Sequence, residues 1–300
     1  MFHVKHWGIQ MTIEQGATPI LHELKVNSER AKRVAAAVLT PPAKTRIITI
    51  SNQKGGVGKT TTAVNLATAL AQKGMRVLVI DLDPQGNAST ALGVAHNAGT
   101  PSSFEVMVGE ISMAQAVVGS SEHPNIQCLP ATIDLAGAEI DLVNTVNRER
   151  ILAEALNKYL LSHPQDYVFI DSPPSLGLLT VNALVAATEV MVPIQCEYYA
   201  LEGVTQLISN IERIKQALNP SLVISSILLT MFDSRTKLSS DVANEVRNFF
   251  PKQTLQAVIP RSVRISEAPS FGQTAIKYDA KNAGSLAYQE AAIELAQRGV

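Results

Sequence analysis

Lys54, Gly55, Gly56, Val57, Gly58, Lys59, Thr60 and Thr61 are spaced as a phosphate cradle. Three glycines open backbone conformations that a Cβ would close, so consecutive N–H groups can converge on phosphate oxygens at the positive end of a helix. At this spacing Lys59 would reach the β- and γ-phosphates of a bound nucleotide, and Thr60 would ligate Mg²⁺. The usual pattern also has a glycine five residues before Gly58, where this chain has Gln53. Carboxylates form the second set. Asp171 closes the apolar run Tyr167-Val168-Phe169-Ile170, an arrangement in which it would hold Mg²⁺ directly or through water. Asp81 and Asp83 close another apolar run and admit two readings, site carboxylates or ordinary turn and capping chemistry.

The elements that must position these groups are legible around them. Ile47 to Ile50 reads as a buried strand leading into the glycine turn. Ala63, Leu66, Ala67 and Leu70 then recur at helical spacing, and Gly74 closes that helix before the apolar strand 76–81 begins. Continuous apolar strands alternating with helices predict an α/β fold, a doubly wound, mostly parallel sheet with helices on both faces and the carboxylates at its C-terminal edge. Further strands are expected at 125–129, 167–171, 190–194, 223–230 and 254–259, with Pro193 near the end of its strand because it cannot donate to a ladder. Helices are expected at 133–143, at 148–161, and at 199–218 with Leu201, Val204, Leu207, Ile208, Ile211 and Ile214 as a buried stripe.

Composition sets the outer limits. A chain of 300 residues can bury a large α/β core. A net charge of -1 gives no general affinity for nucleic acid, so any such binding must come from a local patch. Cys128 and Cys196 have no metal spacing and suit a reduced cytoplasm as buried small hydrophobes. No apolar run is long enough for a signal-peptide core or a membrane span, so a cytoplasmic protein is expected.

The stretch Asn52 to Thr62, with Lys54 directly ahead of the double glycine, resembles the deviant Walker A loop of ParA/Soj chromosome-partition ATPases. The resemblance continues through Asp81 to Asn87, Asp171-Ser172-Pro173-Pro174, Tyr198 to Gly203, and Pro260 to Val263 with Arg264 and Ser266 to Pro269, covering most of residues 45 to 299. It implies an ATP-dependent homodimer in which Lys54 of one subunit crosses to the phosphates of the other. Asp83 would position the attacking water, and Pro260 to Ser262 would contact adenine, although Ser262 stands where relatives often have asparagine. It also implies that Arg235 and Arg264 bind double-stranded DNA without sequence preference, that a ParB/Spo0J-type centromere-binding protein stimulates slow hydrolysis, and that the protein associates with the nucleoid rather than a membrane. From spacing alone, solvated loop charge is the competing reading for Arg235, Lys237, Arg261 and Arg264. Aromatic interleaving is not seen beside them, so duplex backbone contact is expected rather than base stacking.

Two rivals share the loop. A MinD-like membrane regulator needs a basic amphipathic C-terminal helix, whereas residues 285 to 298 carry Glu290 and Glu294 and only Arg298 as a basic residue. An iron–sulfur reductase needs paired cysteines that Cys128 and Cys196 do not match. Residues 1 to 44 fall outside the resemblance and read as a partly disordered N-terminal extension, with a candidate alanine-rich helix at 21–39, too short for a DNA-reading domain. Phe2 to His6 can be encoded by TTT-CAC-GTG-AAA-CAT, whose first twelve bases are palindromic and resemble the site that ParB partners bind. A DNA site lying inside the reading frame, a misplaced start and chance codon degeneracy all fit, and the gene's codons decide among them.

Overall fold

The computed structural model describes residues 19–197 and 200–298. Its centre is an eight-stranded sheet of β1 (Arg46–Ile50), β2 (Val77–Asp81), β3 (Val118–Gly119), β4 (Ile126–Leu129), β5 (Tyr167–Asp171), β6 (Glu189–Gln195), β7 (Val223–Phe232) and β8 (Thr254–Pro260). The spatial order is β3-β4-β2-β5-β1-β6-β7-β8, and every described pairing except β3 with β4 is parallel. Seven helices of eight residues or more accompany it: α1 (Pro19–Ala36), α2 (Lys59–Ala71), α3 (Ile151–Ser162), α4 (Leu178–Ala186), α5 (Ala200–Ala217), α6 (Lys237–Phe249) and α7 (Ala283–Gln297).

Strand side chains alternate between two cores because successive Cβ atoms point to opposite faces. Ile47, Leu78, Ile80, Val168 and Ile170 face α3 to α6, while Ile48, Ile50, Val79 and Phe169 face α2 and α7. Being covered on both sides, the central strands are apolar throughout, as a doubly wound parallel sheet requires. The α5 stripe is buried at Val204, Leu207, Ile211 and Ile214, while the side chain of Leu201 lies outside the described residues. The expected 133–143 helix is a 3₁₀ turn, Ile133–Gly137, running into a short α-helix, Ala138–Asp141.

Pro193 lies two residues before the end of β6, near the strand end as expected. β1 pairs with β6 only as far as Met191, and the Pro193 carbonyl accepts from the Asn52 side chain at 2.8 Å. The N–H and C=O of a strand residue point the same way, so the missing donor falls where β1 has already ended.

The described part of the extension is docked, not loose. α1 packs on α7, with Val34 buried. Arg30 donates to both carboxylate oxygens of Glu290 at 3.0 and 2.7 Å. At the end of α1, Lys73 Nζ donates to the carbonyls of Val34, Ala35 and Ala37, placing a cation at the negative end of the helix dipole. α1 therefore ties the far end of α2 to α7. The palindrome-encoded residues lie outside the described residues.

Candidate functional site

Everything needed for a phosphate site arrives at the C-terminal edge of three neighbouring strands. Ile50, the last residue of β1, is in register with Asp171 on β5, which is in register with Asp81 on β2. The chain leaves β1 through the glycine loop and enters α2 at Lys59. Gly56 (φ 74°) and Gly58 (φ 89°) are in the left-handed region, so the loop needs glycine there. A Cβ at Gly55 or Gly56 would meet nothing within 4 Å, which leaves the concave side of the loop open.

Lys59 is 7% exposed and its Nζ lies 3.4 Å from the Lys54 carbonyl oxygen. Burial lowers its pKa, while Asp171 and Asp83 pull it back up. The two carboxylates ending β2 and β5 differ sharply. Asp81 is fully engaged: Oδ2 accepts from the Ser89 N–H and hydroxyl at 2.8 and 2.7 Å, and Oδ1 accepts from the Asp83 N–H at 3.1 Å. Burial nevertheless raises its pKa to about 6. Asp171 is equally buried, and neither of its oxygens has a hydrogen-bond partner. Burial, then the nearby Asp81, drives its pKa well up; the Thr60 hydroxyl favours the charged form but falls short of hydrogen-bonding geometry. A buried carboxylate without a donor is costly unless a cation completes it.

Asp83 is half-buried, with Oδ1 accepting from the Gln85 N–H at 3.0 Å. It thus has the turn role its spacing allowed, with Oδ2 unengaged among the described residues. Lys54 is held in its own chain by an ion pair to Glu197, whose other oxygen accepts from Gln195 at 2.8 Å. Pro260 and Ser262 line a cavity of about 280 Å³ with Gly58, Thr61, Met231 and Tyr288, so the structure brings them to the mouth of the glycine loop. An adjoining cavity of about 210 Å³ includes Thr60, Thr61 and Asn65.

Three contributors were not legible in advance. Thr230, at the end of an apolar strand, donates its hydroxyl to the Val57 carbonyl at 2.9 Å and so pins the loop from β7. Met231 has φ 51°, which only its place in the fold reveals. The Tyr288 hydroxyl lies 3.4 Å from the Thr62 hydroxyl, and burial pushes its pKa up to about 12. Thr230→Val should lower stability by about 1 to 2 kcal/mol, because it leaves the buried Val57 carbonyl unpaired. Thr230→Ser should restore it, as urea unfolding at constant m-value would show.

Arg235 and Arg264 follow adjacent strands, and their loops are joined where the Arg261 N–H donates to the Phe232 carbonyl at 3.0 Å. Arg235 is exposed yet grips Asp233 through two bonds of 2.9 and 2.8 Å, holding that carboxyl down at about 2. Arg264 lies 3.5 Å from Glu267 and over the ring of Tyr278, with 5.8 Å to the centroid. Tyr278 in turn stacks on Phe271, so aromatic rings do stand beside a basic loop residue. They lie 7 and 14 residues beyond Arg264 in the sequence, which hid them.

A family model described as an AAA domain matches residues 45–224. The chromosome partitioning protein ParA of Caulobacter vibrioides is 51% identical over 253 residues, spanning 84% of this chain and 94% of that protein. The sporulation initiation inhibitor protein Soj of Bacillus subtilis is 46% identical over 254 residues, covering 85% and 99%. The chain belongs to the ParA/Soj family of chromosome-partitioning ATPases. A solved structure of a cobyrinic acid a,c-diamide synthase from Mycobacterium smegmatis with bound ADP and magnesium superimposes with TM-score 0.71 at 41% identity, covering 83% of this chain and 92% of that one. The extension ahead of residue 45 lies outside the family match. No helix among the described residues is long and apolar enough to cross a membrane.

Proposed function

We propose that this ParA-family chain is a DNA-segregation ATPase whose Mg-ATP-bound homodimer holds duplex DNA without sequence preference and releases it on hydrolysis. The observation that carries the reading is Asp171, buried at the lip of an open glycine cradle with both oxygens unpartnered. Those oxygens, the adjacent Thr60 hydroxyl and the phosphates would complete the shell of Mg²⁺. Among the described residues no cluster of three His, Cys, Asp or Glu side chains offers a cage of its own. The bound metal would neutralise charge on the β- and γ-phosphates. Residues 55 to 61 bind phosphate through loop and helix N–H groups, and Lys59 supplies the charge inside the cradle. Pro260 and Ser262 flank the base. Asp83 orients water with the oxygen that its turn leaves free.

Lys54 must leave Glu197 to reach the phosphates of a second subunit, and the pair is half-exposed enough for that exchange to be cheap. Arg235 and Arg264, exposed on joined loops, supply the phosphate contacts. A ParB/Spo0J-type protein would stimulate turnover, and DNA binding would place the protein on the nucleoid. The burial of Leu286, Tyr288, Ala291 and Leu295 in α7 favours this over a membrane regulator, since that helix has no free apolar face to lay on lipid.

Duplexes of unrelated sequence, titrated with ATP, ADP or no nucleotide, test the reading. Binding in ATP alone, equal for all sequences, is expected; nucleotide-independent or sequence-specific binding would contradict it. Asp83→Ala should keep ATP affinity and lose only about 1 kcal/mol of stability with its single turn bond. Turnover should fall at least about a hundredfold, as loss of a residue used in the transition state does, and the dimer should stay on DNA after ATP is withdrawn. Asp233→Asn keeps the acceptor for the Arg235 N–H but frees the guanidinium from a charged partner. DNA affinity should rise several-fold, with the log–log salt dependence steepening by roughly one per added phosphate contact.

A further inference from the structure

We propose that Phe271, backed by Tyr278 and Arg264, is a stacking platform for an unpaired nucleobase, so that the protein grips single-stranded DNA by base stacking as well as duplex by phosphate contact. The inference rests on the DNA-binding reading above and extends it. Phe271 and Tyr278 have ring centroids 5.0 Å apart and planes 21° apart, a stacked pair. The Arg264 guanidinium carbon lies 5.8 Å from the Tyr278 ring centroid and its Nη1 donates to the Tyr278 hydroxyl at 3.4 Å, so a cation stands beside the stacked pair. Phe271 nonetheless remains 62% exposed, and nearby Val263 is 71% exposed. A large aromatic ring ordered by stacking and still open to water presents a π-surface suited to one more planar group.

Charge selects the kind of planar group. Arg264 lies against the Tyr278 ring, and Arg261, Lys277 and Lys281 lie within ten residues of one ring or the other in the sequence, with Lys277 paired to Glu122 and with Glu267 and Asp279 as the other acidic groups of these segments. The balance favours a planar ligand that carries phosphate. Stacking needs no hydrogen-bond readout, so it tolerates any base, but it needs the base out of a duplex. Gly272 (φ 61°) ends the 3₁₀ turn Ala268–Phe271 and fixes where the ring projects. Pro269 in the same turn lines the cavity beside the glycine loop, which places the platform on a segment touching the proposed nucleotide site.

The test compares oligo-dT with an abasic strand of equal length, which has the same phosphates and no bases, by fluorescence anisotropy in ATP. Wild type should prefer oligo-dT by about tenfold, the scale of one stacked base. Phe271→Ala should abolish that preference and leave duplex affinity within about twofold, while Phe271→Trp should keep it. Equal wild-type affinity for the two strands, or a preference surviving in Phe271→Ala, would overturn the platform while leaving the duplex reading intact. A Phe271→Ala variant that keeps the oligo-dT preference but loses stimulation by a centromere-binding protein would give the face to a protein partner and also overturn it. Failure of every DNA, duplex included, would instead remove the reading beneath. Because Phe271 is exposed, melting and ATP binding of the variant should match wild type.

Discussion

Lys59→Ala should weaken ATP binding by at least about thirtyfold, because truncating one partner of a buried charge contact costs about 2 to 5 kcal/mol. Lys59 is a buried ammonium at the start of the helix that follows the glycine loop, close enough to Asp171 and Asp83 to feel their charge. The free protein should respond in the opposite sense to a damaged core. Burial holds the Lys59 pKa down, so removing it relieves a desolvated cation in the free protein. Melting without nucleotide should therefore be close to wild type, whereas the stabilisation produced by Mg-ATP should vanish. At ligand a hundredfold above its dissociation constant that stabilisation is about 2.7 kcal/mol, large enough to read by thermal shift. A Lys59→Ala protein that still gains this increment would remove Lys59 from the cradle's function.

Glu189→Ala should cost about 3 to 5 kcal/mol of stability, the scale of breaking a buried ion pair by removing one partner. Arg46 and Glu189 meet through two bonds of 2.7 Å at the N-terminal edge of β1 and β6, and the Glu189 side chain is 1% exposed. The guanidinium also donates to the Leu295 and Arg298 carbonyls at 2.7 and 3.2 Å, which holds the end of α7 against the sheet. Left without its carboxylate, Arg46 would be a buried cation facing carbonyls and the Tyr167 ring, with no anion to pair it. Arg46→Ala should be equally harmful, since it strands the carboxylate and frees α7 together. The double change Arg46→Met with Glu189→Leu should recover most of the loss, because well-packed apolar groups commonly replace a buried pair at little cost. Urea midpoints at constant slope would show this. Near-wild-type stability in either single variant would mean that the pair is solvated in solution.

What could be read beforehand was what is contiguous in the chain. Residues 54 to 61 carry their geometry in their spacing, and the strands ending at Asp81 and Asp171 announce themselves by apolar runs that end in a carboxylate. Spacing could not separate Asp81 from Asp83. That difference comes from Ser89, whose N–H and hydroxyl occupy Asp81 and commit it to structure. Thr230, Glu197 and Tyr288 reach the loop from β7, from the end of β6 and from α7, and through-space contacts of this kind leave no periodic signal. Pro193 was expected near the end of its strand, but what makes it harmless there was not readable, for a related reason. A proline is tolerated inside a strand when a neighbour stops short, and the length of β1 relative to β6 is a property of the assembled sheet. The α1 helix was legible as alanine-rich helical sequence, but its docking depends on Glu290 and Lys73, which lie far along the chain.

The Arg46 clamp also sets a clock on synthesis. Its bonds to the Leu295 and Arg298 carbonyls span 249 and 252 residues, so a strand made early waits for partners translated that much later. At about 5 to 20 residues per second that wait is roughly 12 to 50 s. Throughout it, the sheet face carrying Ile48, Ile50, Val79 and Phe169 lacks α7, while the α3 to α6 face can already close. A growing chain therefore emerges from the ribosome half-covered, with an apolar surface that chaperones would recognise. A message truncated before α7 would yield a polypeptide that keeps the whole glycine loop yet never buries that face, a product for proteases rather than a weaker enzyme.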